Sequence, residues 1–453
     1  MASVIRRLAP LAMATLTSPR TRALRRAAAK LARRLRGRAR EVHYFHQVDD
    51  PYSALAAQLL RAFAERYEVA LIPHLVAPPS DAAAPERAKL EAFARRDAAD
   101  IAPGYGLSFP ADAQTPREAL VARAQRALSR ALDSRTFAED AARVSAALWR
   151  SDERVLAALA SEIGEASAGE LEARIATDTR LRERLGHYLG ATFYYEGEWY
   201  WGADRLHHLE RRLIAEKARR APAAAAREQS ALIAERPIAR SIAREAPAAG
   251  AQRTPVVLEL FASLRSPYTY IVTERVLALA KQTGAQLALR PVLPMVMRGL
   301  PVPRAKQLYI ALDTKREAED AGVPFGRVCD PVGRPVERAF SLYAWAREHG
   351  RAAELLLEFM RAAWSEGVDT GSDAGLELVV KRAGLAWSEA QARLDRDESW
   401  RRELEANRAE LFALGLWGVP SFRVRGGGAP DYATWGQDRL WRVEQEIRSR
   451  GAS

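Results

Sequence analysis

Three short segments in fixed order constrain what this chain can fold into more than anything else in it. Residues 256–270 read VVLELFASLRSPYTY, residues 418–422 read GVPSF, and residues 435–440 read WGQDRL. The apolar run from Val256 to Phe261 has strand character, and it breaks at Ser266-Pro267 into a helical pattern from Tyr268. Serine caps a helix through its hydroxyl, and proline suits the first turn because its missing N–H would be unpaired there anyway. A strand feeding a capped helix gathers free N–H groups and the positive end of the helix dipole at one spot, which favours an anion such as a thiolate. The second segment places Pro420 just before an apolar strand, Ser421 to Val424, where a cis Val419–Pro420 bond is the expected special use of the residue.

On these residues the chain resembles the thioredoxin-like branch that holds the DsbA oxidoreductases, kappa-class glutathione transferases and 2-hydroxychromene-2-carboxylate isomerases. It is most similar to the last two, in which Ser-Pro-Tyr replaces Cys-x-x-Cys. The resemblance covers roughly residues 255–448. It is supported by Lys306-x-x-Tyr309 running to Gly322-Val323-Pro324-Phe325 and by Trp-Ser-Glu-Gly at 364–367. It implies glutathione as cofactor, with Ser266 donating a hydrogen bond to its sulfur and Arg265 adding positive potential. It further implies the backbone of Val419, held by Pro420, pairing with the cysteinyl part, and Asp438, assisted by Gln437, receiving the γ-glutamyl amine. Lys306 takes a basic role in the same pocket. Two positions depart from the family pattern: Leu300 follows Gly299 where an Asn is usual, and the strand-one Asp is replaced around Ser263.

Net charge is +12, from 69 basic and 57 acidic residues. Residues 1–40 hold twelve of the basic ones and no acid, so the remainder is neutral on balance and a general nucleic-acid affinity is not expected. Leu24, Ala28, Leu31 and Leu35 recur at helical spacing among these arginines, which reads either as a solvated extension or as a cationic helix for an anionic membrane surface. No secretory signal or transmembrane run is recognisable. Cys329 is the single cysteine, which excludes dithiol chemistry, reads as a small buried hydrophobe and fits a cytoplasmic protein. His43 with His46, and His207 with His208, lack a metal-ligand spacing and read as structural.

The first half repeats the plan of the second. Glu41 to Phe45 reads as a strand and Asp50-Pro51-Tyr52-Ser53 opens a helix. Lys89, Phe93 and Asp97 echo Lys306, Ile310 or Tyr309, and Asp313, Gly190-Ala191-Thr192-Phe193 echoes Val419–Phe422, and Trp201–Leu206 echoes Trp435–Leu440. Self-similarity on this scale sets the domain plan. The expected fold is α/β, with two tandem thioredoxin-like (DsbA-like) domains, each with a helical insertion. The boundaries are a basic helical or disordered arm at 1–40, a degenerate domain at 41–212, an Ala/Arg/Pro-rich linker at 213–254, and a domain with the candidate site at 255–448. In the first domain Asp50 takes the serine place and Ala191 the proline place. A carboxylate there repels a thiolate, and a non-proline bond stays trans.

The resulting functional expectation is a glutathione-dependent isomerase or transferase acting on an electrophilic or unsaturated carbonyl small molecule. The alternatives are a non-catalytic thioredoxin-like module holding extended peptides on the Val419-Pro420 edge, and a surface-attached scaffold organised by the arm. Expected partners are the small electrophile, an anionic membrane surface met by residues 1–40, and a second copy of the chain, with no specific nucleic acid.

Overall fold

The computed structural model describes residues 2–132, 134, 136–220, 255–396 and 398–451. They divide into two compact units. The first runs from Leu24 to Arg220, and the second joins the residues up to Ala23 with those from Pro255 on. Pro222, Pro237 and Pro247 of the expected linker lie outside the described residues.

In the first unit, β1 (Glu41–His46) pairs parallel with β2 (Ala70–Leu75) and antiparallel with β3 (Thr192–Tyr195), which pairs antiparallel with β4 (Glu198–Trp201). The sheet order is β2-β1-β3-β4. A parallel pair needs a crossover, and the helix Pro51–Arg66 supplies it. Asp50 caps that helix, accepting from the Ser53 N–H at 2.9 Å and the Ser53 hydroxyl at 2.8 Å. Helices between Arg87 and Arg184 fill the interval from β2 to β3. Tyr44, Leu60, Phe63, Phe193, Tyr200 and Leu206 anchor the core. The chain stays with this unit beyond the expected boundary at 212, because Glu68 N–H bonds Ala218 O at 2.6 Å and Arg220 N–H bonds Arg66 O at 2.9 Å.

The histidines of β1 go separate ways, as residues an odd number apart on a strand must. His46 Nδ1 meets the Tyr44 hydroxyl at 3.0 Å. His43 Nδ1 lies 2.9 Å from His74 Nε2, and His74 Nδ1 lies 2.9 Å from an Asp178 carboxylate oxygen.

The second unit has the same strand sequence: β5 (Val257–Ala262), β6 (Gln286–Pro291), β7 (Ser421–Arg425) and β8 (Tyr432–Trp435), in order β6-β5-β7-β8. β5 is parallel to β6 and antiparallel to β7. The helix Pro267–Thr283 crosses between β5 and β6, and helices from Arg304 to Ala413 stand between β6 and β7. Within them, Leu342 separates the helices Arg334–Ser341 and Tyr343–Glu348.

One charged residue interrupts the apolar central strand. Glu259 is fully buried in β5 and accepts from Arg290 at 2.7 Å and Arg425 at 3.0 Å, and also from Arg423, which bonds Glu410 as well. Burial pushes its carboxyl up, but the bonds from Arg423 and Arg290 outweigh that and hold it below the usual range.

The basic arm forms two helices, Ala2–Thr17 and Pro19–Leu35. The first is not a freely solvated extension. Met13 packs against the core of the second unit and Thr17 is buried, while Arg22, in the first turn of the next helix, pairs with Glu319 at 2.5 Å. Gly367 has φ +71°, and a Cβ there would sit 2.7 Å from Pro10 Cβ, so the helix lies directly on that turn.

Two outcomes follow from this packing. Glu259→Ala leaves Arg423 buried without its main partner and is expected to cost about 3–5 kcal/mol in chemical denaturation. Since the folded pKa of Glu259 is depressed, its contribution is complete above the unfolded value of about 4.3 and is lost as pH falls through the folded value. In the variant, stability should therefore vary less below pH 5 than in the parent. Deleting residues 2–17 should lower the stability of the second unit by about 2 kcal/mol, and an unchanged melting midpoint would contradict the docking described.

Candidate functional site

The site grows from the end of β5. After Ala262 the chain turns, with Ser266 N–H bonding Ser263 O at 3.0 Å, and Pro267 opens the helix. The Ser266 hydroxyl accepts from Thr269 N–H at 3.1 Å, the capping bond expected of it. It in turn donates to the Val419 carbonyl, with Oγ 3.3 Å from the carbonyl oxygen. That bond is long for an O–H donor, so redirecting it to another acceptor costs little.

Val419–Pro420 is the one cis peptide among the described residues. Pro420 is buried and Val419 half-buried. The Pro420 carbonyl accepts from Gly436 N–H at 2.9 Å, tying this loop to the turn after β8. Gly418 is needed by its contact: a Cβ there would lie 2.2 Å from the Trp435 ring. Trp417 meets Trp435 with ring centroids 5.3 Å apart, and Lys306 Nζ stands 5.6 Å from the Trp417 ring centre. Burial pushes the Lys306 ammonium down to about 8, so it is mostly charged at pH 7 and loses its proton just above physiological pH.

Gln437 and Asp438 lie in the turn Gln437–Arg439, whose N-cap is Gly436, so Asp438 is inside the turn rather than capping the helix after it. Both are buried. The Gln437 amide nitrogen donates to Glu317 at 2.6 Å and to Asp438. Two carboxylate neighbours fix which end of the amide is NH2, since a carboxylate only accepts. Arg265 forms a two-point ion pair with Asp330 at 2.8 and 2.7 Å, which neutralises the positive potential expected of it.

The structure thus gathers Ser266, Val419 and Pro420, joins Pro420 to the turn that carries Gln437 and Asp438, and sets Lys306 on Trp417, two residues before Val419. Cys329 is buried, with its N–H on Ala363 O at 2.8 Å. Glu317 was not read from the sequence as a site residue. Lys306, Tyr309, Asp313 and Glu317 recur at helical spacing along Arg304–Asp320, and Tyr309, Asp313 and Glu317 are all buried. That polar stripe turned inward is the signal that points to Glu317.

The first unit holds comparable bonds with different chemistry. Tyr52 OH donates to Asp97 at 2.8 Å and Tyr268 OH to Asp313 at 2.7 Å, each pair 45 residues apart. This register puts Leu90, rather than Lys89, opposite Lys306, each seven residues before its aspartate. Gly202 N–H bonds Ala191 O at 2.7 Å, as Gly436 bonds Pro420. Burial pushes the Asp50 carboxyl up to about 6. Asp204, the counterpart of Asp438, accepts from the Tyr105 hydroxyl at 2.6 Å.

The family model described as the DSBA-like thioredoxin domain matches residues 257–448. No curated protein matches the chain. Among solved structures, a 2-hydroxychromene-2-carboxylate isomerase is similar at 20% identity over 43% of this chain and 98% of that one, with a TM-score of 0.36. A probable DsbA oxidoreductase from Streptomyces coelicolor is similar at 20% identity over 44% of this chain and 91% of its own, TM-score 0.34. The cytosolic disulfide reductase DsbM from Pseudomonas aeruginosa, also solved with GSH, is similar at 22% identity over 43% of this chain and 99% of its own in that GSH structure, TM-score 0.31. Residues 257–448 form a DSBA-like thioredoxin domain.

Proposed function

We propose that the second unit binds glutathione at the Ser266 helix start and is a glutathione-dependent isomerase or transferase for an electrophilic, unsaturated carbonyl compound. The observation that carries this reading is the Ser266 hydroxyl, seated on a helix N-terminus and donating to the Val419 carbonyl across a long 3.3 Å Oγ–O contact that a stronger acceptor can replace. Hydrogen bonds to ionised acceptors are the stronger kind.

The residues present fit the tripeptide in three respects. Val419 offers a half-buried stretch of backbone, in the bend ahead of β7, for a cysteinyl backbone. The buried carboxylates of Asp438 and Glu317, bridged by Gln437, suit an ammonium group. Lys306 supplies a positive charge beside Trp417 that titrates near pH 8. Leu300 contributes no polar contact of the kind an Asn would. When bound, glutathione supplies a thiolate nucleophile for the carbonyl substrate. Ser266 and the N–H groups of the first helical turn hold negative charge on the sulfur, and Pro420 keeps the Val419 edge beside them.

The first unit is, in this reading, a diverged copy without thiol chemistry. Asp50 places a carboxyl where Ser266 places a hydroxyl, and the Ser53 hydroxyl and N–H already occupy it. Asp204 is likewise engaged by Tyr105.

Ser266→Ala should cut turnover about 10- to 100-fold and raise the pKa of the bound thiol, the worth of one hydrogen bond to an ionised group. Its stability cost should stay within about 0.5–2 kcal/mol. Asp50→Ala should leave turnover unchanged. Calorimetric titration with glutathione decides the binding step, and absence of saturable binding favours the peptide-holding alternative on the same edge.

The charge on Lys306 gives a second test. Affinity for glutathione should weaken as pH rises through about 8, where the ammonium loses its proton. Lys306→Met should lower affinity at pH 7 and flatten this dependence. A parent-like profile in that variant would remove Lys306 from the site.

A further inference from the structure

The helix Pro19–Leu35 is mounted with its polarity reversed. An amphipathic helix of a globular protein normally turns its leucines to the core and its charges to water. Here Arg26 forms a two-point ion pair with Glu198 at 2.5 and 2.7 Å, and Arg33 bonds Glu196 at 2.7 Å, so arginines face the body of the first unit. Leu24, Leu31 and Leu35 are 72%, 58% and 80% exposed. The two sets are offset by two residues, Leu24 to Arg26 and Leu31 to Arg33, which is about 200° around a helix with 3.6 residues per turn. Leucines and anchoring arginines therefore lie on opposite sides, with exposed Ala28 completing the apolar stripe.

Exposed Arg25, Arg34, Arg36 and Arg38 flank this stripe, and no acidic residue precedes Glu41. We infer that the outward face of Pro19–Leu35 is a docking surface for an anionic lipid bilayer, lying in the headgroup plane with Leu24, Leu31 and Leu35 inserted. Charge complementarity selects this occupant. A second copy would bring the same four arginines against these four, and a phosphate backbone has no use for three leucines at the centre of the contact. Leucines inside a cationic rim match an acyl layer beneath anionic headgroups. The stripe from Leu24 to Leu35 is about 16 Å long at 1.5 Å per residue, a length for lying on a bilayer and not for crossing it.

Cosedimentation of the full chain with vesicles tests this. The parent should bind phosphatidylglycerol/phosphatidylcholine vesicles, bind pure phosphatidylcholine at least about tenfold more weakly, and be released as salt rises. Leu24→Ser/Leu31→Ser/Leu35→Ser should lower partitioning on anionic vesicles about tenfold or more with an unchanged melting midpoint. Arg25→Gln/Arg34→Gln/Arg36→Gln/Arg38→Gln, which leaves the Arg26–Glu198 and Arg33–Glu196 pairs in place, should do the same and serves if the leucine variant misfolds. Parent-like binding by the leucine variant, or no preference of the parent for anionic vesicles, overturns the proposal. A lipid-free dimer that the leucine substitutions dissolve overturns it too, in favour of a second copy.

Discussion

The candidate site depends on one close approach, the Trp435 indole packed directly against the backbone at Gly418. No side chain fits between them, since a Cβ would fall 2.2 Å from the ring. The contact holds the segment 417–420 against the turn after β8, and the Pro420–Gly436 hydrogen bond locks the same two pieces together. With that segment fixed, the Val419 carbonyl stands beside Ser266 and the Trp417 ring stands beneath Lys306. Residues more than a hundred positions apart thereby share one surface, although none is bonded to all the others.

The two units share one strand order and differ in the side chains set on it. Both have a central strand flanked by one parallel and one antiparallel neighbour, and both have a tyrosine hydroxyl on an aspartate 45 residues later. The differences sit at helix starts and turns, where a side chain can change without repacking the core. Serine becomes aspartate at position 50, proline becomes alanine at 191, and the turn acid is engaged by Tyr105 in one unit and by Gln437 in the other.

What could be read from the sequence was what local chemistry dictates. Ser266-Pro267 and Asp50-Pro51 announce capped helices, because a cap needs only residues within three positions, and both caps are present. The strand–helix order was legible from the change of apolar period. Pairings set by tertiary contact were not. Nothing near Arg265 announces Asp330, 65 residues on, and nothing near Gln437 announces Glu317. For the arm the limit is subtler. Its leucine spacing was visible, but spacing alone does not say which side of a helix faces the body, and acids at 196 and 198 decided that.

The row of Asp178, His74 and His43 has a direction. The Asp178 carboxylate also receives the Leu75 N–H, and it can only accept. A neutral His74 must then carry its hydrogen on Nδ1, leaving Nε2 as a bare lone pair. The hydrogen in the 2.9 Å contact between the rings has to come from His43 Nδ1, which leaves the lone pair of His43 on Nε2. One carboxylate thus sets the tautomer of two imidazoles in succession, across two adjacent strands, and gives the row a fixed direction that ends in the lone pair of His43 Nε2.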